Sequence, residues 1–158
     1  MGFDLYGNNK DRDGQQLYFR ASVWSWRPLW ALVKEHSGGA LTPELFEAGQ
    51  YNDGKLIPVT RALRIARHLR SALASGAIRL ALDEMYRILS SLPKVPCECC
   101  AGTGKRLPPP VCGAGDQPCN GCGATGKRDD YATYYRVELD HFVDFVDFCE
   151  ASGGFRIH

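Results

Sequence analysis

Residues 97–106 (Cys-Glu-Cys-Cys-Ala-Gly-Thr-Gly-Lys-Arg) and 119–128 (Cys-Asn-Gly-Cys-Gly-Ala-Thr-Gly-Lys-Arg) are two copies of one unit, identical at six of ten positions and offset by 22 residues. Each copy offers two thiols three residues apart, then glycine, then a Thr-Gly-Lys-Arg tail. Four thiolates in two such pairs suit a closed tetrahedral zinc site. The expected ligands are Cys97, Cys100, Cys119 and Cys122, holding one structural Zn2+, with Cys99 and Cys112 outside the ligand set. Two disulfides, or unrelated buried thiols, are the competing readings. The glycines let the chain reverse tightly after each pair, and the amides so exposed can hydrogen-bond to sulfur.

Length and composition bound the rest. A chain of 158 residues, 44% hydrophobic with three tryptophans, is one domain or one domain carrying a metal-stapled insertion. No apolar run reaches the roughly 18 residues that a membrane span needs, and the polar start does not read as a signal peptide. Seven cysteines, an odd number with four at metal spacing, favour a reducing cytoplasm over a secreted disulfide framework. The net charge of +1 makes no bulk case for nucleic acid. Its distribution is uneven, however. Lys55, Arg61, Arg64, Arg67, Arg70 and Arg79 lie in an acid-free stretch between Asp53 and Asp83, while Glu138, Asp140, Asp144, Asp147 and Glu150 crowd the C-terminal part.

The paired cysteines resemble the cysteine-rich zinc repeats of DnaJ-type co-chaperones, whose unit reads C-x-x-C-x-G-x-G. The first copy matches through Cys97, Cys100, Gly102 and Gly104; the second matches through Cys119, Cys122 and Gly126, with Ala124 where a glycine is expected. The resemblance spans residues 97–128 only. Those co-chaperones carry four such repeats, two zincs and a His-Pro-Asp-bearing J-domain. Two repeats without His-Pro-Asp imply one zinc and something other than a full co-chaperone. Elsewhere, Met-Gly-Phe-Asp-Leu-Tyr-Gly at the start, Tyr18-Phe19-Arg20, Trp26-Arg27-Pro28-Leu29-Trp30 and Ser152-Gly153-Gly154-Phe155 resemble small uncharacterised bacteriophage and prophage proteins. That likeness implies a bacterial cytoplasm, in a phage-infected host, and supplies no catalytic residue.

The pattern predicts an α+β, mostly helical fold: a helical body (1–94), a single-zinc knuckle insertion (95–129) and a strand–helix (130–158) returning to the body. A strand is expected at Leu17 to Arg20. A first helix should start near Trp26, with Pro28 in its first turn, and stop before Ser37. A second should start at Thr42-Pro43 and end near Gly49. Thr60 is the expected cap of a third, with Ala62, Ile65, Ala66, Leu69 and Leu73 inward and Arg61, Arg64, Arg67 and His68 outward. Gly76 should break it from a fourth, Ile78 to Leu92, which Pro93 stops. Residues 107–118, with four prolines and two glycines, read as a loop. Tyr131 to Leu139 alternates like a strand, and Asp140 opens a last helix burying Phe142, Phe145, Val146 and Cys149 and ending at Gly153.

Three function classes fit. The leading one is a non-enzymatic zinc module with a protein partner. In the second, Lys105, Arg106, Lys127 and Arg128 leave the knuckles at equivalent points and contact nucleic-acid phosphates, extended by Arg61, Arg64 and Arg67 on the Arg61–Arg70 helix. In the third, Cys99 or Cys112 serves a co-chaperone-like thiol or client-binding role. Trp24, Trp26 and Trp30 with Tyr18 and Phe19 could stack bases, although helical spacing marks Trp26 and Trp30 as core. His36, His68, His141 and His158 share no ligand or catalytic spacing.

Overall fold

The computed structural model describes residues 2–158. In chain order the elements are β1 (Gly2–Lys10), β2 (Gln16–Ser22), α1 (Val23–His36), α2 (Pro43–Ala48), β3 (Lys55–Pro58), α3 (Val59–Ala74), α4 (Ala77–Ser91), β4 (Val95–Pro96), β5 (Lys105–Arg106), β6 (Gln117–Pro118), β7 (Lys127–Arg128), α5 (Leu139–Ala151) and β8 (Gly154–Ile157). The fold is α+β. Two compact units divide the chain: residues up to Tyr86 together with Tyr134–His158, and Arg87–Thr133.

The larger unit is built on an antiparallel sheet of order β2-β1-β8-β3. Strand alternation sends Phe3, Leu5, Phe19, Ala21, Ile57, Phe155 and Ile157 to one buried face. Helices α1, α3 and α5 supply Trp26, Trp30, Ile65, Leu69, Phe142 and Phe145 to the same core. Trp26 and Trp30 stack at 4.9 Å, and Phe145 meets both edge-on at 6.1 and 6.4 Å. Their indole N–H groups stay satisfied at full burial. Trp26 donates to the Gly49 carbonyl (2.8 Å) and Trp30 to that of Phe46 (3.0 Å). An unpaired indole N–H at such depth would cost about 1–3 kcal/mol.

Several expectations hold. Thr42 caps α2 with Pro43 in its first turn, Gly76 separates α3 from α4, and Gly153 adopts φ +66 at the end of α5. The predicted inward residues of α3 and α5 are buried, with Leu73 partly so. Others need correction. Helix α1 starts at Val23, because the Ser22 hydroxyl accepts the Ser25 amide, so Pro28 lies inside the helix. Helix α3 follows Pro58 directly and Thr60 is not its cap. Residues 107–118 are not loop throughout, since Gln117–Pro118 pairs with Lys105–Arg106. The strand expected at 131–139 is absent. The Asp130 carboxylate captures the Ala132 amide (2.8 Å), and its carbonyl takes the Thr133 amide and hydroxyl, so 131–134 coils into one 3-10 turn. The strand of this region lies after the helix, as β8.

Candidate metal centre

The unit Arg87–Thr133 contains both cysteine pairs. Cys97, Cys100 and Cys119 are buried, Cys122 is half-buried, and the four sulfurs lie within 4.8 Å of one another. Cys97 Sγ is 3.9 Å from Cys119 Sγ, and Cys100 Sγ is 3.8 Å from Cys122 Sγ. A disulfide would require about 2.05 Å. A tetrahedron with metal–sulfur bonds of about 2.3 Å has edges of about 3.8 Å, so these thiols stand at the spacing of a shared ion. The cluster could hold one metal ion, and the cross-repeat pairing is the one the internal repeat predicts.

The two copies are related residue by residue. The Cys97 amide donates to the Gly126 carbonyl (2.8 Å) and the Cys119 amide to that of Gly104 (2.9 Å), which ties each knuckle to the exit of the other. Gly104 N–H donates to Cys100 Sγ and Gly126 N–H to Cys122 Sγ, both at 3.3 Å. The Thr103 hydroxyl sits 2.7 Å from the carbonyls of Cys100 and Lys105; that of Thr125 sits 2.7 and 2.8 Å from those of Cys122 and Lys127. Gly104 and Gly126 face each other's repeat so closely that a Cβ on either would strike a backbone carbonyl, of Ala124 or Gly102. Both have φ near +77, at +78 and +76.

Burial pushes the Cys97 thiol above its ordinary value and that of Cys119 up to about 12. Burial acts the same way on Cys122, but the Gly126 amide and the three neighbouring thiols outweigh it and hold this group down at about 7. Cys122 is thus a readier thiolate than Cys97 or Cys119, and a dication at this cluster would take the place of thiol protons.

The basic exits behave differently from a simple cationic patch. Arg106 is 9% exposed and donates to Asn120 Oδ1 (2.8 Å), to the Leu107 carbonyl (3.1 Å) and to the Val111 carbonyl (3.2 Å). Arg128 donates to Glu98 Oε1 (2.8 Å) and lies 3.6 Å over the Tyr131 ring. Each arginine therefore grips the second residue of the other repeat. Lys105 and Lys127 remain exposed. Arg61 donates to the Ala40 carbonyl at 2.7 Å, Arg64 and Arg67 are exposed, and all three belong to the other compact unit. Arg70 pairs with Asp147 and Glu150 of α5.

Cys99 is half-buried beside Gly121, Cys112 is exposed, and Cys149 is a core residue. His141 stacks on Phe19 at 4.8 Å, and burial lowers its pKa against the opposing pull of Asp144. Among the described residues the only cluster of metal-binding side chains is the four-cysteine one, so the histidines join no such site. Sequence reasoning missed the clamp roles of Arg106 and Arg128. The signal was present, since Glu98 and Asn120 occupy equivalent repeat positions and both accept hydrogen bonds. No helix among the described residues is long and apolar enough to cross a membrane. No protein-family model, curated protein or solved structure matches the chain.

Proposed function

We propose that Cys97, Cys100, Cys119 and Cys122 hold one structural zinc ion, and that the chain is a small non-enzymatic interaction module. The sulfur tetrahedron carries this reading: four thiols with 3.8 and 3.9 Å cross-repeat separations offer a soft, closed donor set. Four sulfur ligands leave no position for a reacting water, so the ion has a holding role. The donors suit it, because two thiols also receive backbone amides at 3.3 Å, which offset charge left on sulfur. The unit lacks a hydrophobic core beyond its cysteines, so metal takes the place of apolar burial.

For this unit a protein partner fits better than phosphate. Two of the four expected cations, Arg106 and Arg128, are committed to Asn120 and Glu98. What remains exposed beside Lys105 and Lys127 includes Leu107, Val111 and Tyr131 at 38%, 53% and 51%. A bacterial cytoplasm, in the phage or prophage setting that the sequence resemblance suggests, would keep the thiols reduced.

Elemental analysis of purified protein should give one zinc per chain, and X-ray absorption should find four sulfurs at about 2.3 Å. A colourless protein with zinc excludes an iron–thiolate centre. Absence of metal, or a ligand sphere containing Cys99 or Cys112, would refute the assignment. Capture of a bacterial protein that survives nuclease treatment and is lost on replacing Leu107 and Val111 with serine supports the protein-partner reading, and capture indifferent to those replacements overturns it.

A further inference from the structure

The sheet of the larger unit has helices against one face only, and its other face is an aromatic and cationic surface. Outward positions alternate with the buried Leu5, Phe19 and Ile157. Tyr6 and Tyr18 are directly opposed across β1 and β2, with ring centroids 5.3 Å apart, and remain 39% and 47% exposed. The His158 ring stands edge-on to Tyr6 at 5.7 Å. Arg156 pairs with Tyr6 in the β1–β8 register and is exposed, and the Arg20 side chain is 67% exposed.

This surface continues past the end of β2. Arg20 and Ser22 lead into an open cleft of about 460 Å³ whose walls include Trp24, Tyr134, Arg136 and His141. Trp24 is 39% exposed, 5.7 Å from the Tyr134 ring and 4.8 Å from that of Tyr135. Of the three tryptophans it alone is not in the core.

We infer that this face binds single-stranded nucleic acid, with bases stacked on Tyr6, Tyr18 and Trp24 and the backbone following Arg20 and Arg136. Exposed aromatic side chains cost water structure around apolar surface, and on a sheet face they are ready platforms for the π-faces of unpaired bases. A four-stranded antiparallel sheet with neighbouring aromatics is a recurring solution for reading single strands, since the rings lie at fixed spacing on a rigid support. Charge decides between this occupant and an apolar protein surface. Arg20 and Arg156 share the sheet face with the rings, and Arg136 lines the cleft with Trp24. Two acids share the surface: Asp4 accepts from the Tyr18 hydroxyl and pairs with Arg20 at 3.6 Å, and Glu138 lines the cleft beside Arg136, so three arginines face two carboxylates. A duplex hides its base faces and cannot use the rings. The inference goes beyond the metal reading, because the surface belongs to the unit that lacks the cysteine pairs.

The test is fluorescence anisotropy of the full zinc-loaded protein with labelled oligo(dT), oligo(U) and a hairpin duplex. Single strands should bind more tightly than duplex, and affinity should fall with added salt. Tyr6→Ala, Tyr18→Ala and Trp24→Ala should each weaken binding about tenfold, whereas Tyr18→Phe, which keeps the ring, should bind like wild type. Asp4→Asn should strengthen binding by removing an anion. Lys105→Ala with Lys127→Ala should leave it unchanged. Circular dichroism confirms that each variant is folded. No complex at low salt, equal affinity for duplex, or full binding by the alanine variants would overturn the inference. So would loss of binding on replacing the two lysines, which would place the contact at the knuckles instead.

Discussion

Gly126→Ala should cripple the metal centre, while Ala124→Gly, two residues away, should improve it. Gly126 has φ +76, a conformation costing an L-residue about 1–2 kcal/mol. Its Cβ would also meet the Gly102 carbonyl oxygen, so the two repeats must part locally. Parting them weakens the Cys97 N–H bond to the Gly126 carbonyl (2.8 Å) and the Gly126 N–H bond to Cys122 Sγ (3.3 Å). At about 1 kcal/mol for each bond, the total comes to about 3–4 kcal/mol. With the proposed zinc ion coupled to folding of this unit, the loss should appear as weaker zinc binding, by about two to three powers of ten. Ala124 already has φ +62 with a Cβ. Glycine there relieves about 1–2 kcal/mol and costs about 0.5–1 kcal/mol of backbone entropy, which leaves a gain of about two- to fivefold in affinity. Competition against a chromophoric zinc chelator measures both variants. Wild-type affinity in Gly126→Ala, or weaker binding in Ala124→Gly, would refute the cross-repeat argument.

Cys97→Ser should release the metal and expose about residues 95–129 to protease, yet keep most far-UV helical signal, because the buried core of the larger unit includes no residue of the metal unit; complete loss of helicity would mean that metal organises the whole chain. Arg106→Ala should leave Asn120 and the Val111 carbonyl unpaired and speed proteolysis between Leu107 and Gly113, with helicity unchanged by circular dichroism. Arg70 holds Glu150 below the usual carboxylate range, so the folded pKa is depressed and the pair's contribution is complete above the unfolded value of about 4.3 and lost as pH falls through the folded one. The groups are partly exposed, so Arg70→Met should cost about 0.5–1 kcal/mol at neutral pH and nothing near pH 2, as denaturant titrations at the two pH values would show.

The four-cysteine cluster, the cross-repeat pairing and all five helices were legible to within a few residues. Spacing alone determines such features: thiols at i and i+3, and apolar residues every three or four positions. The sheet was legible only at β2. Strand β1 has a period-two signal in Phe3, Leu5 and Gly7, but Asp4, Asn8 and Asn9 give it the composition of a loop. Strands β3 and β8 are four residues each, too short for alternation to stand out, and become strands by pairing with each other at Ile57 and Phe155. Tyr131–Leu139 failed in the opposite direction. Its aromatic alternation is genuine, but Asp130 offers the backbone a local turn that no periodicity test registers.

The differences between the two repeats follow the same symmetry as their identities. Positions shared by both copies hold groups that each repeat must supply separately: two thiols, the Thr103 or Thr125 hydroxyl, the Gly104 or Gly126 approach, and the clamp arginine. Positions that differ hold groups that need only be compatible. Glu98 and Asn120 are both acceptors for the opposite arginine. Ala101-Gly102 and Gly123-Ala124 place positive φ at the same two points with the residue order exchanged, at +50 and +79 in one copy and +57 and +62 in the other. Cys99 and Gly121 differ because they compete for one space. A Cβ on Gly121 would lie 3.2 Å from Cys99 Sγ, so a side chain there would press on that of Cys99. Cys99 is therefore the bulkier of the two equivalent residues, and the absence of a side chain at Gly121 gives it room beside the four-cysteine cluster.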